Sequence, residues 1–204
     1  MANDYSSVTV VGIGGPGSST VEYLDRWGAG GARCVVMNTD PVSLGINLCY
    51  NKLLLGAQDP AKDKDAITQA LEGARLVLLV AGLGHAGTDA TPVVARIAKQ
   101  AGATVVALVF TPFSYEGKTR QDHARHGIEQ LKATTDWTAV LSNDDITERA
   151  DPLESISSVF ATLNESIRKW VLVLPTQAAD KTGTFDAALI ERGFRESELG
   201  ELLW

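Results

Sequence analysis

The stretch from Val8 to Thr20, VTVVGIGGPGSST, decides how the rest of the chain is interpreted. It begins as an apolar run, breaks into glycines and continues with hydroxyl residues. This order predicts a buried strand, a glycine-rich turn and the start of a helix, which is how α/β proteins build an anion site. Backbone N–H groups at the helix start point at the anion, and glycines let the backbone come close. The stretch therefore predicts phosphate binding without naming the phosphate ligand.

The spacing of the glycines suggests one particular ligand. Residues Gly12 to Gly17 fit the pattern G-x-G-x-x-G, which is typical of dinucleotide-binding folds. Such a fold needs an acid near the end of the second strand, and Asp40 could supply it. A dinucleotide-dependent oxidoreductase is therefore one hypothesis, although it has no use for the further loops described below.

The composition narrows the class of protein. The chain has 204 residues, 45% of them apolar, and a formal net charge of −7. An acidic chain lacks the clustered Lys and Arg that general nucleic-acid binding needs. No apolar stretch approaches the roughly 18 residues that span a bilayer, and the opening MANDYSS does not resemble a targeting signal. We therefore expect a cytoplasmic domain without a membrane span that does not bind nucleic acid.

Apolar runs alternate with helical patterns along the whole chain. After the first strand, further strands are predicted over 33–37, 52–56, 76–81, 104–110 and 137–141. These strands are continuous apolar runs, which is typical of a parallel sheet covered on both faces. We therefore expect an α/β fold in which a parallel sheet is covered by helices on both faces.

Start and stop residues set the expected helix bounds. Helices are predicted over 18–28, 66–74, 93–100, from the loop at 111–117 to 131, over 152–170 and over 187–192. Asp40 is a candidate N-cap for a further helix or turn, Thr91-Pro92 is expected to open the helix over 93–100, and Pro175 to end the long one. We expect residues 1–170 to form one nucleotide-binding domain, with residues 171–204 as a short C-terminal appendage.

Three strand ends carry unusual loops. They read GIGGPGSS, AGLGHAGTD and TPFSYEG. Because parallel sheets bind ligands at the carboxyl ends of their strands, these loops predict one shared ligand site.

The residues of these loops, in this order, resemble the nucleotide-binding domain of the FtsZ/tubulin superfamily, and FtsZ more closely than tubulin. The resemblance runs through VVGIGGPGSSTV (10–21), VVMNTDPVSL (35–44), LVAGLGHAGTDATPVVARIAKQAGA (79–103), VFTPFSYEGKTR (109–120), HGIEQLK (126–132) and LSNDD (141–145). The block PFSYEGKTR and the NTD after the second strand are its most specific parts. The resemblance implies a Rossmann-like three-layer αβα fold with a mostly parallel six-stranded sheet that binds GTP across its carboxyl edge.

The resemblance also implies roles for individual residues. The first loop would wrap the α- and β-phosphates, the second the β- and γ-phosphates, and the remaining residues would surround the sugar and the base. The residues implied are Gly12, Gly14, Gly15, Gly17, Ser18, Asn38, Asp40, Gly82, Gly84, Gly87, Thr88, Glu116, Arg120, Asn143 and Phe160. Two of these roles have simple alternatives: Asp40 as a helix cap, and Glu116 with Arg120 as a surface ion pair.

This sequence departs from the family pattern at four places. The second glycine loop is one residue shorter, and Asp89 replaces a glycine where a carboxylate facing a phosphate would repel it. Pro16 removes one N–H donor from the first loop. Phe160 stands where the family has a base-reading polar residue, which puts guanine specificity in doubt. The family's pair of water-activating acids is matched only weakly, by Asp186 alone, and we expect the domain that normally follows to be absent.

We therefore expect an FtsZ-like GTP-binding protein that self-assembles or joins filaments, as a homo-oligomer or with an FtsZ-like partner. GTP or GDP is the expected ligand, Mg²⁺ could accompany it, and intrinsic hydrolysis is expected to be weak or absent. The alternative is a degenerate, non-hydrolysing scaffold or regulator that acts through protein contacts. No resident metal site is predicted, because Asp122, His123 and His126 lack a third ligand nearby and fit a solvated helical face better.

Overall fold

The structure is a computed structural model of the chain and describes residues 7–56, 59–177 and 184–203. Its six strands are β1 (Val8–Ile13), β2 (Arg33–Asn38), β3 (Asn51–Leu54), β4 (Leu76–Gly82), β5 (Thr104–Thr111) and β6 (Trp137–Ser142). They form one sheet in the order β3-β2-β1-β4-β5-β6, and every neighbouring pair is parallel. This confirms the predicted six-stranded sheet. Since β1 and β4 are neighbours but not consecutive, a crevice opens at their carboxyl ends.

Helices cover both faces of this sheet. They are α1 (Gly14–Trp27), α2 (Pro41–Ile46), α3 (Lys64–Ala70), α4 (Ala86–Gln100), α5 (Lys118–Thr134), α6 (Asn143–Glu148), α7 (Ile156–Gln177) and α8 (Ala187–Arg195). One cluster of buried apolar side chains joins the sheet to α1, α7 and α8, and a second joins its other face to α3, α4 and α5. The predicted three-layer α/β arrangement is therefore confirmed.

The two helices that follow the glycine loops begin several residues earlier than predicted. Helix α1 begins at Gly14 instead of residue 18, so the glycines of the first loop form its first turn. Helix α4 begins at Ala86, and the prediction that Thr91-Pro92 would open it is wrong. The second loop ends early because Gly84 turns the chain at φ +100° and donates its N–H to the Thr88 hydroxyl at 2.8 Å. Pro92 therefore lies buried inside the helix.

Helix α7 ends later than predicted. It begins at Ile156 and runs to Gln177, with Pro175 inside it, so the predictions of a start at 152 and a stop at Pro175 are wrong. A proline inside a helix costs roughly 3 kcal/mol. The apolar face of α7 nevertheless continues through Trp170, Val171 and Leu174, all of which are buried. The proposed domain boundary after residue 170 stays a prediction, and α7 crosses that point without a break.

The segment after α7 packs on the sheet. Phe194 of α8 is fully buried and makes edge-to-face contacts with Trp137 and Trp170. Beyond α8, a 3₁₀ turn at Glu198–Leu202 leads to Leu203, which forms an antiparallel bridge with Leu141 of β6. The glycine turn predicted at Gly183 lies outside the described residues. Within the ranges that the structure describes, no helix is both long and apolar enough to cross a bilayer.

Candidate functional site

A cleft of about 410 Å³ lies at the carboxyl edge of the sheet. It is lined by residues from all three loops that the sequence singled out. They are Gly14, Gly15, Pro16, Asn38, Thr39, Asp40, Ser43, Gly82, Leu83, His85, Ala86, Gly87, Phe110, Pro112, Glu116 and Asn143. The volume falls within the roughly 300–1,000 Å³ that is usual for small-molecule sites.

Two helices open into this cleft without a side-chain cap. Ile13 precedes α1 and His85 precedes α4, and neither side chain bonds to the first turn of its helix. The first N–H groups of a helix have no partner within the helix, and the helix dipole favours negative charge there. Two such ends meet in the cleft, because a methyl carbon placed on Gly14 would lie 3.4 Å from Gly87. This arrangement can hold an anion of two or more phosphate groups.

Asn38 and Asp40 form the wall of the cleft beside α2. The Asn38 Oδ1 accepts the Asp40 N–H at 3.0 Å, and the Asp40 carboxylate accepts the N–H groups of Val42 and Ser43 at 3.0 and 3.1 Å. The Ser43 hydroxyl donates to the same carboxylate. That bond first, and the two backbone bonds after it, hold the pKa of Asp40 below its usual range. The prediction that Asp40 caps a helix is confirmed, whereas a contact with a nucleotide stays a prediction.

Glu116 faces the cleft from the loop after β5. One of its carboxylate oxygens accepts the Phe113 N–H at 2.9 Å, and the other forms an ion pair with Arg120. Glu116 lines the cleft and Arg120 lies behind it. The ion pair that the sequence allowed as an alternative is therefore present, and it holds Glu116 at the cleft wall.

Asn143, the first residue of α6, carries an unpartnered acceptor. Its side-chain Oδ1 is buried and has no hydrogen-bond partner within the described residues, although the residue lines the cleft. An unsatisfied buried acceptor costs about 1–3 kcal/mol. A ligand that donates a hydrogen bond here would remove that penalty.

Several predicted site residues do not line the cleft. Gly12 lies in β1 beneath α1, and Gly17 lies on the face of α1 that meets β4. A methyl carbon on either would overlap a neighbouring carbonyl oxygen, so both glycines let α1 pack closely on the sheet. Ser18 is buried inside α1, and its hydroxyl has no partner among the described residues. Gly84 and Thr88 bond to each other at the turn before α4.

Phe160 and Asp186 do not lie where their expected roles would require. Phe160 is half-buried and packs against the core cluster under α7, so the structure does not bring it to the cleft. Asp186 caps α8 by accepting the Ala188 N–H at 2.8 Å. The preceding Phe185 carbonyl accepts a bond from Thr104, the first residue of β5, so Asp186 lies at the amino edge of the sheet.

Asp89 does not point at the cleft. Its side chain is 70% exposed and lies 3.1 Å from the His123 ring on α5. Because α4 begins at Ala86, Asp89 falls in its first turn on the outer side. The repulsion expected from replacing a glycine with a carboxylate is therefore avoided.

Sequence reasoning missed several polar residues around the site. Thr39, Ser43 and His85 line the cleft, and each lies in or beside a loop that the sequence had marked. The signal for His85 was its place as the one imidazole in a glycine loop. Asn164, one turn after Phe160 on α7, accepts the Thr20 hydroxyl at 2.9 Å and so ties α7 to α1. An amide in an otherwise apolar helical face was the signal for it.

A parallel sheet between two layers of helices, with two uncapped helix starts around one cleft, is the arrangement typical of phosphate-binding α/β domains. Residues 7–151 match the model of the Tubulin/FtsZ family, GTPase domain. The chain belongs to this family.

Individual relatives agree with this membership. The cell division protein FtsZ 1 of Thermococcus kodakarensis is 39% identical over an alignment of 165 residues, and the match covers 72% of this chain and 44% of that protein. An empty FtsZ dimer from M. jannaschii superposes with a TM-score of 0.75 at 32% identity, covering 88% of this chain and 56% of that one. A CetZ2 protofilament from Haloferax volcanii with bound GTPγS gives 0.70 at 25% identity, covering 86% and 60%. The chain thus spans about half the length of the relatives it matches.

Proposed function

We propose that this chain is the nucleotide-binding part of a cytoskeletal or cell-division protein that binds GTP or GDP and self-assembles or joins an FtsZ-type filament. The observation that carries the proposal is the cleft into which α1 and α4 open without caps. The similarity to an FtsZ dimer and to a GTPγS-bound CetZ2 protofilament supports both the ligand and the assembly.

The cleft suggests how a nucleotide is held. The phosphates lie against the N–H groups of Gly14, Gly15 and Gly87, where the two helix dipoles add. The base lies toward Asn143, whose buried Oδ1 accepts an N–H of the ring edge. Glu116, fixed by Arg120, faces the sugar hydroxyls. Mg²⁺ would neutralise part of the phosphate charge beside the two carboxylates that line the cleft.

We propose that hydrolysis by this chain alone is weak or absent. Asp186 is the one acid in the segment where the family carries two, and its Oδ1 is already bonded to the Ala188 N–H. It also lies at the opposite edge of the sheet from the cleft, so it could reach a nucleotide only on a neighbouring copy stacked below. A non-hydrolysing scaffold that acts through protein contacts is the second candidate, and the capped Asp186 favours it.

Nucleotide binding is tested by thermal unfolding with GTP, GDP, ATP or NADH, each with and without Mg²⁺. A ligand present at 100 times its Kd stabilises the folded state by about 2.7 kcal/mol. We expect a rise in Tm with GTP and GDP and none with NADH. Stabilisation by NADH alone would favour the dinucleotide hypothesis instead, and no shift with any nucleotide would contradict the proposal.

A matched pair of variants shows whether the cleft is responsible. Gly14 and Gly102 both have positive φ, +68° and +87°, so alanine strains both alike by about 1 kcal/mol. Only Gly14 lines the cleft. Gly14→Ala should therefore lose GDP affinity while Gly102→Ala retains it, at similar loss of stability. Equal affinities in the two variants would place the nucleotide elsewhere.

Turnover and assembly separate the two candidate functions. We expect phosphate release from GTP to stay near background, and Asp186→Asn, which preserves the cap, to leave it unchanged. Turnover that rises with protein concentration and falls in Asp186→Asn would show a shared site with a catalytic carboxylate. Sedimentation with GTP then reports whether the chain assembles alone.

A further inference from the structure

The cleft carries little positive charge for a site that is to hold a nucleotide. Asp40 and Glu116 contribute carboxylates to its wall, and neither lysine nor arginine occurs among the described residues that line it. Arg120 is the nearest arginine on α5, and it is paired with Glu116. Of the described lining residues, His85 alone can become a cation.

His85 stands where that charge would act on a bound phosphate. It is the residue before α4, it is exposed, and its side chain does not cap the helix. His85 and the first residues of α4, Ala86 and Gly87, line the same cleft. The residue before it, Gly84, packs against Pro112 and Arg120, which fixes where the loop meets the cleft.

We propose that His85 binds, as an imidazolium, the phosphate held at the start of α4, so that nucleotide affinity rises as the pH falls through the titration range of histidine. The inference rests on the proposed nucleotide binding. Hydrogen bonds between charged partners are roughly twice as strong as neutral ones. Histidine changes charge between about pH 5 and 8, so this contact is strong at the lower end of that range and weak at the upper end.

Other charged groups surround this position. Asp40, the residue before α2, and Glu116, in the loop after β5, line the same cleft. Arg120 of α5 pairs with Glu116, while Asp89 and His123 pair on the outer side of α4. These groups and the phosphate itself are the same in the wild type and in a His85 variant. Their contributions therefore cancel when the two proteins are compared at each pH.

The other two histidines of the chain provide a matched control. His123 lies against Asp89, and His126 lies 2.8 Å from Gln130 on the same helix, α5. Neither lines the cleft. A double variant, His123→Gln with His126→Gln, removes two imidazoles and keeps His85.

The test is calorimetric titration with GTPγS at about pH 6 and about pH 8. His85→Gln should bind about tenfold more weakly than wild type at the lower pH and nearly equally at the higher pH. The double variant should match the wild type at both. His85→Gln should keep the wild-type Tm without nucleotide, because the side chain is exposed.

Two results would overturn the role of His85. They are an unchanged affinity in His85→Gln at both pH values, and a loss of equal size at both. Loss of the pH dependence in the double variant instead would assign it to α5. A wild type that binds no GTPγS at either pH overturns the proposed function together with this inference, whereas wild-type binding with an unchanged His85→Gln overturns this inference alone.

Discussion

Helix ends and polar groups have different hydrogen-bond partners at the two edges of the sheet. At the carboxyl edge, α1 and α4 begin without side-chain caps and the Asn143 Oδ1 has no partner within the described part of the chain. At the amino edge, Asp186 caps α8, the Thr104 hydroxyl bonds to Phe185, and Phe194 fills the space between Trp137 and Trp170. Two helix starts at the carboxyl edge are thus left uncapped where a ligand can enter, whereas the start of α8 at the amino edge is capped by its own side chain.

The largest loss of stability is expected for a substitution at the amino edge of the sheet. Phe194→Ala removes a fully buried ring that packs against two tryptophans. We expect the free energy of unfolding to fall by about 3–5 kcal/mol, measured by urea denaturation. The GDP affinity of the folded fraction should not change, because the ring is far from the cleft.

Leu153→Ala serves as the control for this variant, since the Leu153 side chain is 95% exposed. Its stability should stay within about 0.5 kcal/mol of the wild type. A loss of GDP affinity in Phe194→Ala as large as that in Gly14→Ala would show that the two edges are not independent.

A smaller difference in stability is expected between the alanine variants of two glycines in α1. A methyl carbon on Gly17 would overlap the Val80 carbonyl oxygen, whereas one on Gly15 has nothing within 4 Å. We expect Gly17→Ala to lose about 2 kcal/mol of stability, because backbone must move away from backbone. Gly15→Ala should retain or slightly raise stability while weakening GDP binding, since Gly15 lines the cleft. Equal stability in the two variants would mean that α1 is free to shift away from β4.

The smallest change in stability is expected for a substitution of Asp40, which lines the cleft and whose carboxylate stabilises the folded state through its hydrogen bonds. Its hydrogen bonds lower the pKa in the folded state, so its carboxylate stabilises the fold above the unfolded pKa of about 4. That stabilisation is lost as the pH falls through the lower, folded pKa. Urea midpoints of wild type and Asp40→Asn should therefore differ by a constant amount above about pH 5 and converge in more acidic solution. A difference that persists unchanged at acid pH would show that the carboxylate charge plays no part.

The strands could be predicted because their sequences carry the signal directly. Continuous apolar runs, such as Leu76 to Ala81, are buried on both faces, and a parallel sheet is the arrangement that buries them. The courses of α4 and α7 around Pro92 and Pro175 could not be predicted in the same way. In α4 the apolar face continues past Pro92 through Val94, Ala95 and Ala98, and its burial outweighs the missing backbone bond. In α7 the buried face reaches Leu174, the residue before Pro175.

The site could be predicted as a set of loops, but not residue by residue. Gly15 and Gly17 look equivalent in the sequence, yet residues two apart on a helix point about 200° apart, so one faces the cleft and the other packs on β4. The first turn of α4 depends in the same way on where the helix begins. A start at Ala86 turns Asp89 outward and leaves His85 at the opening, and only the turn at Gly84 decides that start.

The bridge between Leu203 and Leu141 has a consequence for how the sheet can grow. It covers part of β6, one of the two outer strands, with the chain's own backbone. The other outer strand, β3, has only four residues and carries the exposed Lys52 in its middle. Short, charged or covered outer strands resist pairing with strands of other molecules. Association of this protein by adding strands sideways to its sheet is therefore disfavoured at both outer strands.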